Sequence, residues 1–397
     1  MNSREVWITG LGALSAVGPD TDALARALLG ECSGLKPMPG VNGTLAGIAG
    51  EIPRSRQSRR LDRSASMFVT AASEAWHSAG LDATALVPER CAVAEGSSLG
   101  PMSELLDTVS AYTGAEKARP SALLRFMIGA GGAAFAQAHG IQGPVLHFSA
   151  GSVSATSAIG EAFRWIADGR VDVVVAGGAE CPLNAGIIEH FRAAGILADR
   201  SDSDTPCRPF DAARTGTALG EGAGVLVLES SDHARRRGAE PLAVLRGYGL
   251  SCETNSMFAP DPTGAGVTAA AEQALKTADK CRIGWIKTHG TGTLQNDAAE
   301  CRGLAKVFGP DLHDIPLTAL KPLFGHCLGA SGSVETVASV LALNEHIVPA
   351  SLGTKHVDPE LPSCTVVTQT RKSDAEDILL LAESFGGRCA ALVVGRA

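Results

Sequence analysis

Ile283-Gly284-Trp285-Ile286-Lys287-Thr288-His289-Gly290-Thr291-Gly292-Thr293 reads as a short buried strand that delivers a histidine into a loop of small residues. Loops carried on rigid strands commonly hold reacting groups, although a lone histidine there is more often structural. Downstream, Lys321-Pro322-Leu323-Phe324-Gly325-His326 leads into Cys327-Leu328-Gly329-Ala330-Ser331-Gly332. That stretch places a lysine and a second histidine beside a helix start; alone it could be a capped helix with a solvated lysine. Upstream, a strand over residues 145–149 runs into Ser149-Ala150-Gly151-Ser152-Val153-Ser154-Ala155 and then a helix over 152–167. A strand-to-helix turn exposes a side chain at a helix N-terminus, where backbone N–H groups and the helix dipole favour a developing anion. Nucleophile elbows use this geometry, and an ordinary tight turn of small residues would look the same.

Outward from these stretches, β-branched runs alternate with Ala-rich helical stretches. Strands are predicted over residues 6–9, 90–95, 171–176, 225–228, 283–288 and 390–394. Helices are predicted over 64–79, 269–278 and 333–346. Gly177-Gly178 is read as the stop of the apolar strand 171–176. The β-then-α alternation predicts an α/β protein with helices on the faces of mixed sheets. A first half, residues 1–245, carries the Gly151 turn, and a second half, residues 246–397, carries His289, Lys321 and His326. The halves share an order of elements, but no sequence repeat shows it.

Composition narrows the function classes. The 397 residues are 45% hydrophobic, enough for a large core, and the net charge is −8. The one basic run, Arg235-Arg236-Arg237, is read as a solvated helix end, so nucleic-acid binding is not expected. Ten cysteines are scattered with no C-x-x-C pair, which suits buried thiols in a reduced, cytoplasmic protein and gives no metal or redox motif. No stretch reaches the ~18 uncharged apolar residues of a membrane span, and residues 1–18 lack the basic start of a signal peptide.

Together the three stretches, in this order, resemble the β-ketoacyl-acyl-carrier-protein synthase family: a nucleophile, then H-G-T-x-T, then K-x-x-x-G-H-x-x-G-A-x-G. The resemblance runs from Val6-Trp7-Ile8-Thr9-Gly10-Leu11-Gly12 through Ala176-Gly177-Gly178-Ala179-Glu180. It takes in Arg208-Pro209-Phe210-Asp211 and Leu219-Gly220-Glu221-Gly222-Ala223-Gly224, and ends at Phe385-Gly386-Gly387. It implies a thiolase-like fold of five layers, αβαβα, built from two similar halves, and a homodimer or a heterodimer with an active ketosynthase. It implies acyl or malonyl groups on the phosphopantetheine of an acyl carrier protein, with no other cofactor and no metal. Thr291 and Thr293 match positions that bond the pantetheine arm, Phe385 matches a gating phenylalanine, and Gly386 follows it in the substrate pocket.

The sequence departs from the family in two places. Aligning Ser149-Ala150 with the residues before the family's cysteine puts Gly151 on the nucleophile; Ser152 and Ser154 then fall out of register. Near the C-terminus, S-F-G-F-G-G-T-N of the fatty-acid enzymes becomes Ala382-Glu383-Ser384-Phe385-Gly386-Gly387-Arg388-Cys389, closer to aromatic polyketide ketosynthases and chain-length factors. Without a side chain at 151 no acyl-thioester can form there. His289, Lys321 and His326 would still serve the decarboxylating half-reaction. Three readings follow: a malonyl-carrier decarboxylase that does not condense, a chain-length-factor-like partner of an active synthase, or a condensing 3-oxoacyl synthase whose cysteine was replaced.

Overall fold

The computed structural model describes residues 4–41, 43–52, 60–111, 120–198, 207–362 and 364–397. Ten strands carry the architecture. The first five are β1 (Val6–Ser15), β2 (Cys91–Gly96), β3 (Val145–Phe148), β4 (Val173–Glu180) and β5 (Gly222–Ser230). The second five are β6 (Ala243–Cys252), β7 (Ile283–Lys287), β8 (Pro316–Thr318), β9 (Asp377–Ser384) and β10 (Arg388–Gly395). The first five lie in the order β1-β5-β4-β2-β3, and the second five in the order β6-β10-β9-β7-β8, with the two-residue strand Thr365–Val366 outside β8. Each set has the same pattern, antiparallel at its first two pairings and parallel at its last two. The sets join where β1 meets β6 over Val6↔Leu245 to Ile8↔Ala243. The expected division after residue 245 falls inside β6.

Six helices complete the layers: α1 (Arg63–Ser78), α2 (Ala130–His139), α3 (Ser154–Ala167), α4 (Ala265–Ala278), α5 (Leu294–Phe308) and α6 (Ser331–Asn344). α1 and α2 cover the outer face of the first set, and α4 and α5 flank the second set on its outer side. α3 and α6 pack against each other between the two strand sets, with α3 on β2 and β4 and α6 on β5. The layers are therefore αβαβα. Strand periodicity accounts for them: along β5, Val225 and Val227 face the outer core while Leu226 and Leu228 face the central one. Along β9, Leu379 and Leu381 point outward and Leu380 inward. Strands covered on both faces read as continuous apolar runs.

Several boundaries differ from expectation: β1, expected over 6–9, runs on to Ser15, β5 spans 222–230 rather than 225–228, and α4 starts at Ala265 rather than 269. β4 runs on through Gly177-Gly178 to Glu180, because both glycines stay in the ladder, opposite Val225 and Gly224 of β5. α3 starts at Ser154, not at 152. The chain turns at Gly151, and the Ser154 hydroxyl closes that turn, donating to Gly151 O (2.6 Å) and accepting from Ala150 N–H (2.9 Å). No described helix is long and apolar enough to cross a membrane.

Candidate active site

β7 ends at Lys287 and delivers Thr288 and His289 to the rim of the sheet. Thr288 is anchored to Thr318 O on β8 through its N–H (2.9 Å) and its hydroxyl (2.8 Å). Glu300 on α5 grips the loop beyond, accepting from His289 N–H (2.5 Å) and Gly290 N–H (2.9 Å). Burial raises the Glu300 carboxyl to about 7, against the pull of those two donors.

Lys321 opens a short helix, Lys321–Phe324, and is fully buried. Its ammonium donates to His289 Nδ1 (3.2 Å), to His289 O and to Glu335 Oε1 (2.9 Å). An ammonium has three protons, so all are used. Because Lys321 donates to Nδ1, the proton of a neutral His289 ring sits on Nε2. Behind it, Lys287 Nζ bonds Glu335 Oε2 and Leu381 O, both at 2.5 Å. Glu335 on α6 is thus the single carboxylate between two buried ammonium groups.

His326 follows the same short helix, tied back by its N–H to Ala218 O (2.7 Å). Its Nδ1 lies 2.8 Å from Ser331 Oγ, and its Nε2 lies 3.2 Å from Ser152 Oγ. The two imidazoles stand edge to face with centroids 5.2 Å apart. Burial, then the Lys321 charge, holds both rings well below the ordinary histidine value, so both are neutral near pH 7.

Gly151 does not face the histidines, which corrects the expectation that it holds the nucleophile position. Its φ is +63°, and a Cβ built there would overlap Ser384 Oγ on β9. The side chain turned toward His326 belongs to the next residue, Ser152. The Ser152 N–H donates to that same Ser384 Oγ (2.8 Å). The left-handed turn at 151 rotates the chain so that position 152, not 151, projects into the site.

Thr291 and Thr293 lie beyond His289, their hydroxyls 2.9 Å apart, the first buried and the second half-buried. Asp297 holds this loop by accepting from Gly292 N–H (3.1 Å). Phe385 follows Ser384 and is 44% exposed, its ring 6.0 Å from that of exposed Phe258; Gly386 N–H donates to Met257 O (2.8 Å). The structure thus gathers His289, Lys321 and His326 at one point with Ser152 and Ser384, and puts Phe385 and Gly386 at its edge. Ser152, Ser331, Ser384, Glu300 and Glu335 were not singled out as site residues from sequence. A serine next to Gly151 at the strand-to-helix turn was the only visible signal among them. None of the ten cysteines hydrogen-bonds either histidine; Cys327, next in sequence to His326, is buried against Phe324 O and Gly325 O. Among the described residues, no group of three or more His, Cys, Asp or Glu is placed to hold a metal ion.

Comparison with known proteins gives a consistent picture. The family description "Beta-ketoacyl synthase, N-terminal domain" matches residues 3–234, and "Beta-ketoacyl synthase, C-terminal domain" matches residues 242–355. The chain is 31% identical to a 3-oxoacyl-[acyl-carrier-protein] synthase 2 of Coxiella burnetii, covering 100% of this chain and 99% of that one. It is 32% identical to a granaticin polyketide putative beta-ketoacyl synthase 1 of Streptomyces violaceoruber, covering 99% of each. Among solved structures it matches a type II polyketide acyl-carrier protein in complex with its ketosynthase, at a TM-score of 0.92, 25% identity and full coverage of both chains.

Proposed function

This chain belongs to the β-ketoacyl synthase family, and from that premise we propose that it decarboxylates malonyl groups held on the phosphopantetheine of an acyl carrier protein, without condensing them. The observation that carries the reading is the pair of neutral histidines, His289 and His326, backed by Lys321, with no cysteine hydrogen-bonded to either ring.

The chemistry follows from the protons. His289 presents Nε2–H because Lys321 occupies Nδ1, so it donates to the thioester carbonyl. His326 joins it when Ser331 donates to Nδ1 and leaves the proton on Nε2. As the carbon–carbon bond to the carboxylate breaks, its electron pair moves into the carbonyl and makes an enolate. Carbon dioxide leaves, and a proton from water at the α-carbon gives acetyl-carrier. A preorganised donor at a developing oxyanion contributes about 3–4 kcal/mol, a hundred- to a thousandfold in rate. Condensation needs an acyl group on a reactive thioester beside the histidines, and no thiol pairs with either ring; the Cys207 thiol lies against Thr291 O, and burial pushes it up to about 11.

The partners proposed with this reading are the carrier protein and a second ketosynthase-fold chain, either another copy or an active synthase. The solved relative that holds an acyl-carrier protein against its ketosynthase supports the first. Edge strand β3 supports the second: it exposes Val145 (36%) and Leu146 (50%) on an unpaired sheet edge. A single measurement tests the activity. Malonyl-carrier incubated with the chain is expected to become acetyl-carrier by mass spectrometry, and His289→Ala is expected to slow this about a hundredfold or more. Release that is unchanged in the variant refutes the reading. No turnover by the unaltered chain does too, and favours the chain-length-factor-like alternative.

A further inference from the structure

We propose that Ser152 is an acyl acceptor: its hydroxyl, activated by His326, takes an acyl group from a carrier-bound thioester and holds it as an oxygen ester. This rests on the reading that the site receives carrier-bound thioesters. It adds a covalent step that decarboxylation does not require.

Three observations carry it. The first is the pairing of Ser152 Oγ with His326 Nε2 at 3.2 Å, with Ser331 Oγ 2.8 Å from the other ring nitrogen. This is a nucleophile, a base and a group that orients the base, the arrangement that activates a hydroxyl. When His326 donates Nδ1–H to Ser331, its Nε2 is free to accept the Ser152 proton. His326 alone has this choice, since Lys321 fixes the proton of His289 on Nε2. One histidine is then the carbonyl donor and the other the base.

The second is place. Ser152 is half-buried and lies two residues before α3, a helix of 14 residues whose N-terminus favours negative charge. The third is that its backbone is held. The Ser152 N–H is fixed to Ser384 Oγ at 2.8 Å, and the turn before it is closed by the Ser154 hydroxyl. The nucleophile therefore has little freedom to lose on reaction.

The step balances without an oxidant or reductant. The Ser152 O–H proton passes to His326 Nε2 as Oγ bonds to the thioester carbonyl carbon. The tetrahedral adduct collapses, the carbon–sulfur bond breaks, and the departing sulfur takes the proton from His326. Thioester and hydroxyl become oxygen ester and thiol. Oxygen donates its lone pair into a carbonyl better than sulfur does, so this ester resists attack by an enolate carbon. Ser152 can thus hold an acyl group without passing it into condensation.

The test uses the full chain and acetyl-carrier protein, a thioester with no carboxylate to lose. Peptide mass spectrometry is expected to find acetyl on Ser152, stable to neutral hydroxylamine and removed by alkali. His326→Ala is expected to slow its formation about a hundredfold. Ser152→Ala is expected to abolish it. Ser152→Cys keeps the side chain's place and is expected to take the acetyl as a hydroxylamine-labile thioester, which checks the position even if the alanine variant folds poorly. An unlabelled wild-type chain, or acetyl on another residue, overturns the proposal. The two readings fail separately. Carbon dioxide release from malonyl-carrier by a chain that takes no acetyl sinks only the Ser152 step. Acetyl on Ser152 with no carbon dioxide release sinks only decarboxylation.

Discussion

Glu383 is the residue whose chemistry is least expected from its position. It lies on β9, where the resemblance to the fatty-acid enzymes would place a phenylalanine. It is buried, and its Oε1 has no hydrogen-bond partner. Burial, and then the negative charges of Glu300, Glu253 and Asp297, push its carboxyl well above the usual 4.5. The folded protein then keeps a proton that the unfolded chain has released, so stability falls as pH rises from 4.5 toward the raised value. The depressed histidines act with the opposite sign: their contribution is lost as pH falls below 6.5 toward their lowered values. Glu383→Gln removes only the first effect. Its melting temperature relative to wild type is expected to climb between roughly pH 5 and pH 8, and a flat difference would refute the protonated carboxyl. At this same scale the sequence named His289, Lys321 and His326, but its choice of position 151 for the nucleophile was one residue off. Around a turn with φ at +63°, one residue of register decides whether a side chain meets Ser384 or His326.

Elements show how the halves are built alike. Gly12 on β1 lies where a Cβ would overlap the backbone carbonyl of Ala71 on α1. Gly249 on β6 lies in the same way against Ala270 on α4. Gly10-Leu11-Gly12 and Gly247-Tyr248-Gly249 thus make matching contacts in the two halves, over a stretch too short to be read as a sequence repeat. Each lets a helix backbone rest directly on a strand. Gly12→Ala and Gly249→Ala are each expected to lower stability by about 1–3 kcal/mol in urea unfolding, because backbone must shift to admit the methyl. A cost at only one site would show that the two helix-on-strand contacts are not equivalent. Element type was legible from periodicity; ends were less so. Gly177-Gly178 looked like a stop, yet β4 continues because strands on both sides hold it in register.

At the scale of the whole molecule, the central core belongs to neither half alone. Ile159 and Ala162 of α3 share it with Val334 and Val337 of α6, and α6 packs on β5 of the first set. Residues 1–241 produced alone would leave that face of β5 and one side of α3 uncovered. They are expected to bind an apolar dye and to unfold without a cooperative transition; a sharp, reversible transition would show that the half folds independently. By itself the sequence determined the alternation of strands and helices and the identity of the two histidines and the lysine, because periodicity and motif order are properties of neighbouring residues. Tertiary structure alone decided the rest. Ser152 meets Ser384 and His326, from 232 and 174 positions away. Glu335 closes over Lys287 from 48 positions away. A buried polar group takes whatever partner the packed layers bring to it, and chain order does not say which that will be.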